Sequence, residues 1–172
     1  MKKICTLMTL ALALGVAARA ADVSVTLTDV HVCCPSCVKG VAKAVAEVAG
    51  LTAKADQEAG TVTLTGPDTA TVQKGADALV AGGFFGKSSD ASIKVSAATG
   101  AKNQTVQTLT IEGVHLCCGK CVKGVNEALG KVTGVTGNTA AKGVKTFEVT
   151  GNFNDQEVFD ALQKAGFTGQ EK

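Results

Sequence analysis

The sequence contains no Trp, no Tyr, six Phe and two Pro among its 172 residues. Proteins that bind single-stranded nucleic acids stack the bases on aromatic side chains, and this chain offers few of them. Its 17 Lys and Arg are nearly balanced by 15 Asp and Glu, so the chain also lacks the basic surface that a phosphate backbone attracts. We therefore expect no nucleic-acid partner.

Recognisable catalytic motifs are also missing from the sequence. It shows no Ser-His-Asp pattern, no pair of carboxylates in a cleft-like motif, and no glycine-rich phosphate-binding loop. Such patterns supply the nucleophiles, general acids and phosphate cradles of common enzymes. We expect that the protein is not an enzyme.

The N-terminal apolar run is too short to span a membrane. Lys2 and Lys3 precede an apolar stretch at 4–17, and residues 18–20 (Ala-Arg-Ala) place small side chains around a cleavage site. A spanning helix needs roughly 20 apolar residues. We predict a signal peptide over residues 1–21, export to the periplasm or the exterior, and no membrane insertion after cleavage. The mature chain would keep 14 basic and 15 acidic residues and a net charge of about −1.

The mature chain contains an internal duplication. Segment 31–41 (HVCCPSCVKGV) recurs as segment 115–125 (HLCCGKCVKGV), 84 positions later. Further matches follow in the same order, with Gly83-Phe84 corresponding to Gly166-Phe167. A repeat of this kind indicates two copies of one structural unit. We predict a first domain over 22–96, a linker over 97–103 rich in small and polar residues, and a second domain over 104–172.

Each copy carries the same pattern of strands and helices. Alternating apolar residues predict strands at Val23/Val25/Leu27 and Val62/Leu64 in the first copy, with counterparts around Leu109 and Phe147 in the second. Apolar residues with helical spacing follow each cysteine cluster and predict helices that stop near Gly50 and Gly134. Second helices should begin at the caps Asp68 and Asn154, and Asp155, Glu157 and Asp160 should lie on a solvated helix face.

The order β-α-β-β-α, with a weak final strand, indicates an α+β fold in which helices cover one face of an antiparallel sheet. We predict two tandem ferredoxin-like β-α-β-β-α-β domains. Ile93 and Val95 are candidates for the last strand of the first copy. In the second copy, only residues 167–172 remain, so its last strand should be short or missing.

Six cysteines remain after signal cleavage removes Cys5, and each copy holds three of them. An odd number per domain argues against a disulfide framework closed within each domain. The triplets fall between the first strand and the first helix, where the backbone N–H groups and the helix dipole favour anionic sulfur. Thiolates in a Cys-x-x-Cys loop bind soft ions such as Cu(I) and Zn(II).

The segment Val32-Cys33-Cys34-Pro35-Ser36-Cys37 resembles the Met-x-Cys-x-x-Cys loop of heavy-metal-associated domains, as does its counterpart at 116–121. The resemblance implies a β-α-β-β-α-β fold and binding of Cu(I), Zn(II) or Hg(II), as in copper chaperones, P-type ATPase tails and periplasmic mercuric-ion-binding proteins. It also implies one soft ion per domain, up to two per chain, and a membrane metal transporter or another metal carrier as partner. The residues that it identifies as ligands are Cys34 and Cys37, and Cys118 and Cys121.

The sequence departs from that family around the ligand loop. The family's Met is replaced by Val32 and Leu116, which can fill the same apolar position. Its preceding Gly is replaced by His31 and His115. An additional thiol, Cys33 or Cys117, precedes the first ligand in each copy. Cys33 and Cys117 are therefore candidate third ligands and His31 and His115 candidate fourth ligands, a set that would suit Zn(II).

Two other functions fit the same residues. The dithiol Cys34-Pro35-Ser36-Cys37 could belong to an exported thiol–disulfide oxidoreductase, although the second copy has no proline in its loop. The triplets could also form structural zinc sites in a module with some other binding surface. The favoured interpretation is an exported carrier, chaperone or scavenger of a soft metal ion.

Overall fold

The computed structural model describes residues 21–172. The predicted signal peptide and Cys5 lie on residues 1–20, outside the described range. Within 21–172 no helix combines the length and the apolar character that a membrane crossing requires. Below, residues 22–96 are called the first half and residues 104–172 the second half.

The two halves repeat one order of elements. The first half contains β1 (Val23–Thr28), α1 (Pro35–Val45), β2 (Thr52–Asp56), β3 (Thr61–Gly66), α2 (Thr69–Ala81) and β4 (Lys87–Ser88). The second half contains β5 (Thr105–Glu112), α3 (Gly119–Leu129), β6 (Val135–Asn138), β7 (Thr146–Asn154), α4 (Asp155–Lys164) and β8 (Gln170–Glu171). The predicted α+β class is confirmed.

Each half forms a four-stranded antiparallel sheet, with strand orders β2-β3-β1-β4 and β6-β7-β5-β8. The arrangement is consistent with two ferredoxin-like domains. The alternation seen in the sequence directs Val25, Leu27, Val62 and Leu64 into the core, where each is at most 2% exposed. Alternation is less strict in β5 because its pairing with β7 shifts register between Val106 and Thr108. Such a bulge moves side chains to the opposite face.

The helix starts follow the sequence, whereas the helix ends do not. Asp68 accepts a hydrogen bond from the Thr71 N–H (2.7 Å), and Asn154 accepts one from the Gln156 N–H (2.9 Å), as their predicted capping roles require. The first helix of each half ends at Val45 or Leu129 rather than near the glycines. Gly50 and Gly134 take φ of +77° and +87° in the turns that lead into β2 and β6.

The last strand of each half has two residues, β4 and β8, and the sequence predicts a short or missing last strand for the second half. The prediction that Ile93 and Val95 form the last strand of the first half is wrong. Lys87–Ser88 pairs with β1 instead, and Ile93 and Val95 lie outside any strand. The Ile93 N–H donates to the Asp90 carbonyl in a turn, so its backbone is not extended. Its side chain is 2% exposed. The apolar pattern around Ile93 therefore reflects core packing rather than sheet pairing.

The prediction that Asp155 lies on a solvated helix face is wrong. It is 2% exposed, and its carboxylate accepts hydrogen bonds from the N–H groups of Lys102 (2.8 Å) and Gln104 (2.7 Å). The Thr99 carbonyl also accepts a hydrogen bond from the Glu171 N–H (2.7 Å). The segment 97–103 is therefore held against the second half.

The two halves pack against each other through their Gly-Phe turns. Phe84 and Phe167 form an antiparallel bridge, the Thr168 N–H donates to the Gly83 carbonyl, and the Phe85 N–H donates to the Gly166 carbonyl. Gly83 and Gly166 both have φ of +83°, and a Cβ on either would collide with backbone of the opposite half. Because this contact is reciprocal, the loops between β1 and α1 and between β5 and α3 face each other.

Candidate metal centre

Each cysteine triplet is positioned by the start of a helix. Cys34 and Cys118 are the N-cap residues of α1 and α3, and no oxygen-bearing side chain caps either helix. Cys37 and Cys121 lie in the first helical turns and are completely buried. The other four cysteines are half-buried. Free N–H groups and the positive end of the helix dipole therefore approach the sulfurs in both halves, which favours thiolate over thiol.

The two triplets meet in one cluster. Within the first half, the Cys37 Sγ lies 3.7 Å from Cys33 Sγ and 3.6 Å from Cys34 Sγ. Within the second half, the Cys121 Sγ lies 3.7 Å from both Cys117 Sγ and Cys118 Sγ.

Sulfur separations between the halves are just as short. The Sγ–Sγ distance is 3.4 Å for Cys37–Cys117, 3.6 Å for Cys33–Cys118, 3.7 Å for Cys33–Cys121, Cys34–Cys118 and Cys37–Cys121, and 3.8 Å for Cys34–Cys117. The structure thus brings together all six cysteines that the sequence singled out. The sequence related them as two loops and contained no sign that they adjoin.

These separations match those of thiolates that share a metal ion. Two sulfurs bound at about 2.3 Å to a tetrahedral ion lie about 3.8 Å apart. A disulfide would require about 2.05 Å, and all six cysteines are free. The spacing therefore fits thiolates around a soft cation.

The rings of the candidate ligands His31 and His115 each lie against a phenylalanine of the opposite half. The His31 ring centroid lies 4.2 Å from that of Phe167, and the His115 centroid lies 4.4 Å from that of Phe84. A ring nitrogen of His31 lies within 4.8 Å of the Cys33 and Cys121 sulfurs. The Nε2 atoms of both histidines are buried and have no hydrogen-bond partner among the described residues. Both histidines thus lie beside the cluster and at the interface between the halves.

Two helix glycines make room for these rings, and sequence reasoning did not identify them. A Cβ on Gly40 would lie 2.6 Å from His115 Cε1, and a Cβ on Gly124 would lie 3.0 Å from His31 Cε1. Separations of this size are below normal carbon–carbon contact. The only signal in the sequence was their recurrence inside helices, where glycine is unfavourable.

Hydrogen bonds lower the pKa of some of the cysteines, whereas burial raises the pKa of others. The pKa of Cys37 is well below that of a free thiol because the Cys121 thiol donates to its sulfur and His115 adds to the effect. Burial raises the pKa of Cys33 to about 12 and also raises that of Cys117. Burial opposes ionisation of Cys118, yet hydrogen bonds led by the Cys121 N–H outweigh it and lower the pKa to about 6. Without a cation, then, the cluster holds some of its thiols protonated.

Burial also changes the pKa of the first candidate histidine, His31. Burial lowers the pKa of His31, so the ring is neutral at neutral pH and its unprotonated nitrogen can accept a proton or bind a metal. Neutral imidazole is the form that binds metals.

Neither the protein-family models nor the curated proteins gave a significant match to the chain. Among solved structures, one described as "Crosstalk between Cu(I) and Zn(II) homeostasis" is 24% identical, with a TM-score of 0.35 over 39% of this chain and 100% of that chain. The solution structure of the N-terminal soluble domains of Bacillus subtilis CopA is 18% identical, with a TM-score of 0.32 over 88% of this chain and 95% of that chain.

Proposed function

We propose that the chain is an exported protein that binds soft metal ions, of the class Cu(I), Zn(II) and Hg(II), and acts as a carrier, chaperone or scavenger. The observation that carries the proposal is the convergence of six free cysteine sulfurs at separations of 3.4–3.8 Å. Clustered thiolates repel one another, so such an arrangement is stable only when protons or cations neutralise the charge. Soft cations are the ones that prefer sulfur.

The Cys-x-x-Cys pair of each half supplies the main ligands in this proposal. Cys34 and Cys37 serve the first half, Cys118 and Cys121 serve the second, and Cys33 and Cys117 add a third thiolate to each. Binding releases the protons held by the neutral thiols, so metal affinity rises with pH. Each half contributes one set of ligands.

Metal exchange needs access to the ligands. The buried sulfurs of Cys37 and Cys121 cannot be reached by an incoming thiol, whereas Cys34 and Cys118 are half-buried. We propose that a metal enters and leaves through the exposed side of Cys34 and Cys118, by ligand exchange with a membrane metal transporter or another carrier. The export route rests on the predicted signal peptide.

Native mass spectrometry of the reduced protein, titrated without oxygen with Cu(I), Zn(II) or Hg(II), tests the proposal. We expect stoichiometric binding that is lost when Cys34 and Cys118 are both replaced by Ser. Ser36→Ala is the matched control, since Ser36 is an exposed residue in the first turn of α1, between Cys34 and Cys37, and it should bind as the unmodified protein does. Failure of all three ions to bind, together with ready turnover of disulfide substrates, would replace this proposal with the oxidoreductase.

A further inference from the structure

We infer that the two cysteine triplets form a single site for a polynuclear Cu(I)–thiolate cluster that spans both halves, rather than two separate one-ion sites. The inference rests on the proposed metal-binding function. It narrows the metal to Cu(I) and adds the number of ions bound and the geometry of the site. It is carried by how the six sulfurs are grouped.

Among the triangles that adjacent sulfurs form, four share corners but no edges. Three are groups whose sulfurs lie within 4.8 Å of one another: Cys33, Cys34 and Cys118; Cys34, Cys37 and Cys117; and Cys117, Cys118 and Cys121. The fourth consists of Cys33, Cys37 and Cys121, with all three separations at 3.7 Å. Every sulfur belongs to two of these triangles, and three of the four triangles combine sulfurs from both halves.

Triangles of sulfur suit Cu(I) better than Zn(II). Structural Zn(II) sites are almost always tetrahedral with four protein ligands, and Cu(I) accepts two or three thiolates. Among the described residues, the groups of mutually close ligand atoms have three members each. An ion at the centre of a triangle with 3.7 Å edges would lie about 2.1 Å from each sulfur. That is slightly below the metal–thiolate distance of about 2.3 Å known for zinc, so little expansion is needed.

The stoichiometry follows from the sharing of sulfurs. If one Cu(I) occupies each of these four triangles, every thiolate bridges two ions, and about four ions are held by six thiolates with three sulfur ligands each. Loading displaces the remaining thiol protons to solvent, and no electron is transferred. Four Cu(I) and six thiolates carry a net charge of about −2. Two separate one-ion sites would have no bridging thiolates.

The surroundings are suited to a compact anionic cluster. The N-termini of α1 and α3 both approach it, and each contributes the equivalent of roughly half a positive charge. The rings of His31 and His115 lie against Phe167 and Phe84, and a ring nitrogen of His31 adjoins the cluster. The half-buried Cys34 and Cys118 leave an outer side for loading. Both halves are therefore needed to enclose the ions.

Anaerobic titration of the reduced full chain with Cu(I) alone tests the inference, read by native mass spectrometry and by X-ray absorption at the copper edge. We expect saturation at about four Cu(I) per chain, three sulfurs around each copper, and a short copper–copper scattering path. The double variant Cys33→Ser/Cys117→Ser retains both Cys-x-x-Cys pairs. It should bind two ions or fewer, at least a twofold drop, and lose the copper–copper path. Ser36→Ala is the control and should match the unmodified chain.

Three outcomes would overturn the inference. Saturation of the unmodified chain at two ions without a copper–copper path would leave the proposed function intact and show two separate sites. Retention of about four ions by the double variant would show that Cys33 and Cys117 do not bridge the ions. No Cu(I) binding at all would also overturn the inference, whereas the proposed function would fall only if Zn(II) and Hg(II) failed to bind as well. The scattering path is measured on the unmodified chain, so the test does not depend on folding of the variant.

Discussion

At the scale of single residues, two helix glycines allow side chains of one half to approach the helices of the other. Gly40 and Gly124 occur inside helices, where glycine costs about 1 kcal/mol relative to alanine. Each faces a histidine ring of the other half, and a Cβ would collide with it at 2.6 Å or 3.0 Å. The gain is the approach of His115 and His31, which brings the cysteine loops together.

Replacing Gly40 by Ala should therefore weaken metal binding even though alanine favours the helix. The methyl group displaces His115 and separates the triplets, and overpacking of this kind costs about 1–3 kcal/mol. We expect the apparent Cu(I) affinity, measured by competition with a chromophoric chelator, to fall about tenfold. Gly119→Ala is the matched control, because a Cβ there meets no atom within 4 Å. Equal affinity of the two variants would contradict the steric role of Gly40.

At the scale of elements, helix α4 is connected to the segment before β5 by one buried carboxylate. Asp155 accepts hydrogen bonds from the N–H groups of Lys102 and Gln104. Burial opposes its ionisation, but these hydrogen bonds outweigh burial and lower its pKa. The carboxylate therefore stabilises the folded state above the pKa of an unfolded Asp, about 3.9, and the stabilisation is lost as pH falls through the lower folded value.

Asp155→Asn should lower the free energy of unfolding at pH 7 by about 1–3 kcal/mol, the usual worth of hydrogen bonds to a charged group. The difference between the variant and the unmodified protein should shrink below about pH 4, where the unfolded state first takes up a proton, and should vanish once the folded carboxylate is protonated at its lower pKa. Urea unfolding followed by circular dichroism at pH 7 and pH 3 measures it. Glu157→Gln, in the same helical turn but exposed, should have a much smaller effect. A pH-independent difference would show that the charge of Asp155 is unimportant.

At the scale of the whole molecule, the clustered thiols are susceptible to oxidation to disulfides, and a bound metal should protect them. Thiols in an oxidising exterior tend to pair, and Cys37 and Cys117 already lie 3.4 Å apart across the two halves. Disulfide formation oxidises two thiols and needs an acceptor such as oxidised glutathione. A bound soft cation occupies the sulfur lone pairs and blocks the attack.

Metal-free protein should therefore lose free thiols to oxidised glutathione much faster than metal-loaded protein, by about tenfold or more. Alkylation of the remaining thiols, followed by mass spectrometry, measures the loss, and peptide mapping should find a disulfide between the halves, with Cys37–Cys117 as the expected pair. Equal rates for the metal-free and the loaded protein would contradict protection by the metal. Disulfides confined to one half would contradict the adjacency of the triplets.

The sequence alone determined the repeated elements and the identity of the candidate sulfur ligands. Apolar spacing identified β1, β3 and the first helices, and polar side chains at Asp68 and Asn154 identified two helix starts, because these signals act within a few residues. The same local reasoning failed at Ile93 and Asp155. An apolar residue can be buried without being in a strand, and a charge can be buried when N–H groups distant in the sequence donate hydrogen bonds to it.

Only the tertiary structure decided that the two cysteine triplets adjoin. Their meeting depends on contacts between segments about 84 positions apart, including the Phe84–Phe167 bridge and the fit of His115 against Gly40. No periodicity in either copy encodes that approach, since each copy by itself reads as a complete domain with its own loop. The sequence therefore determined which residues are suited to soft metals. The packing of one half on the other determined that they lie together.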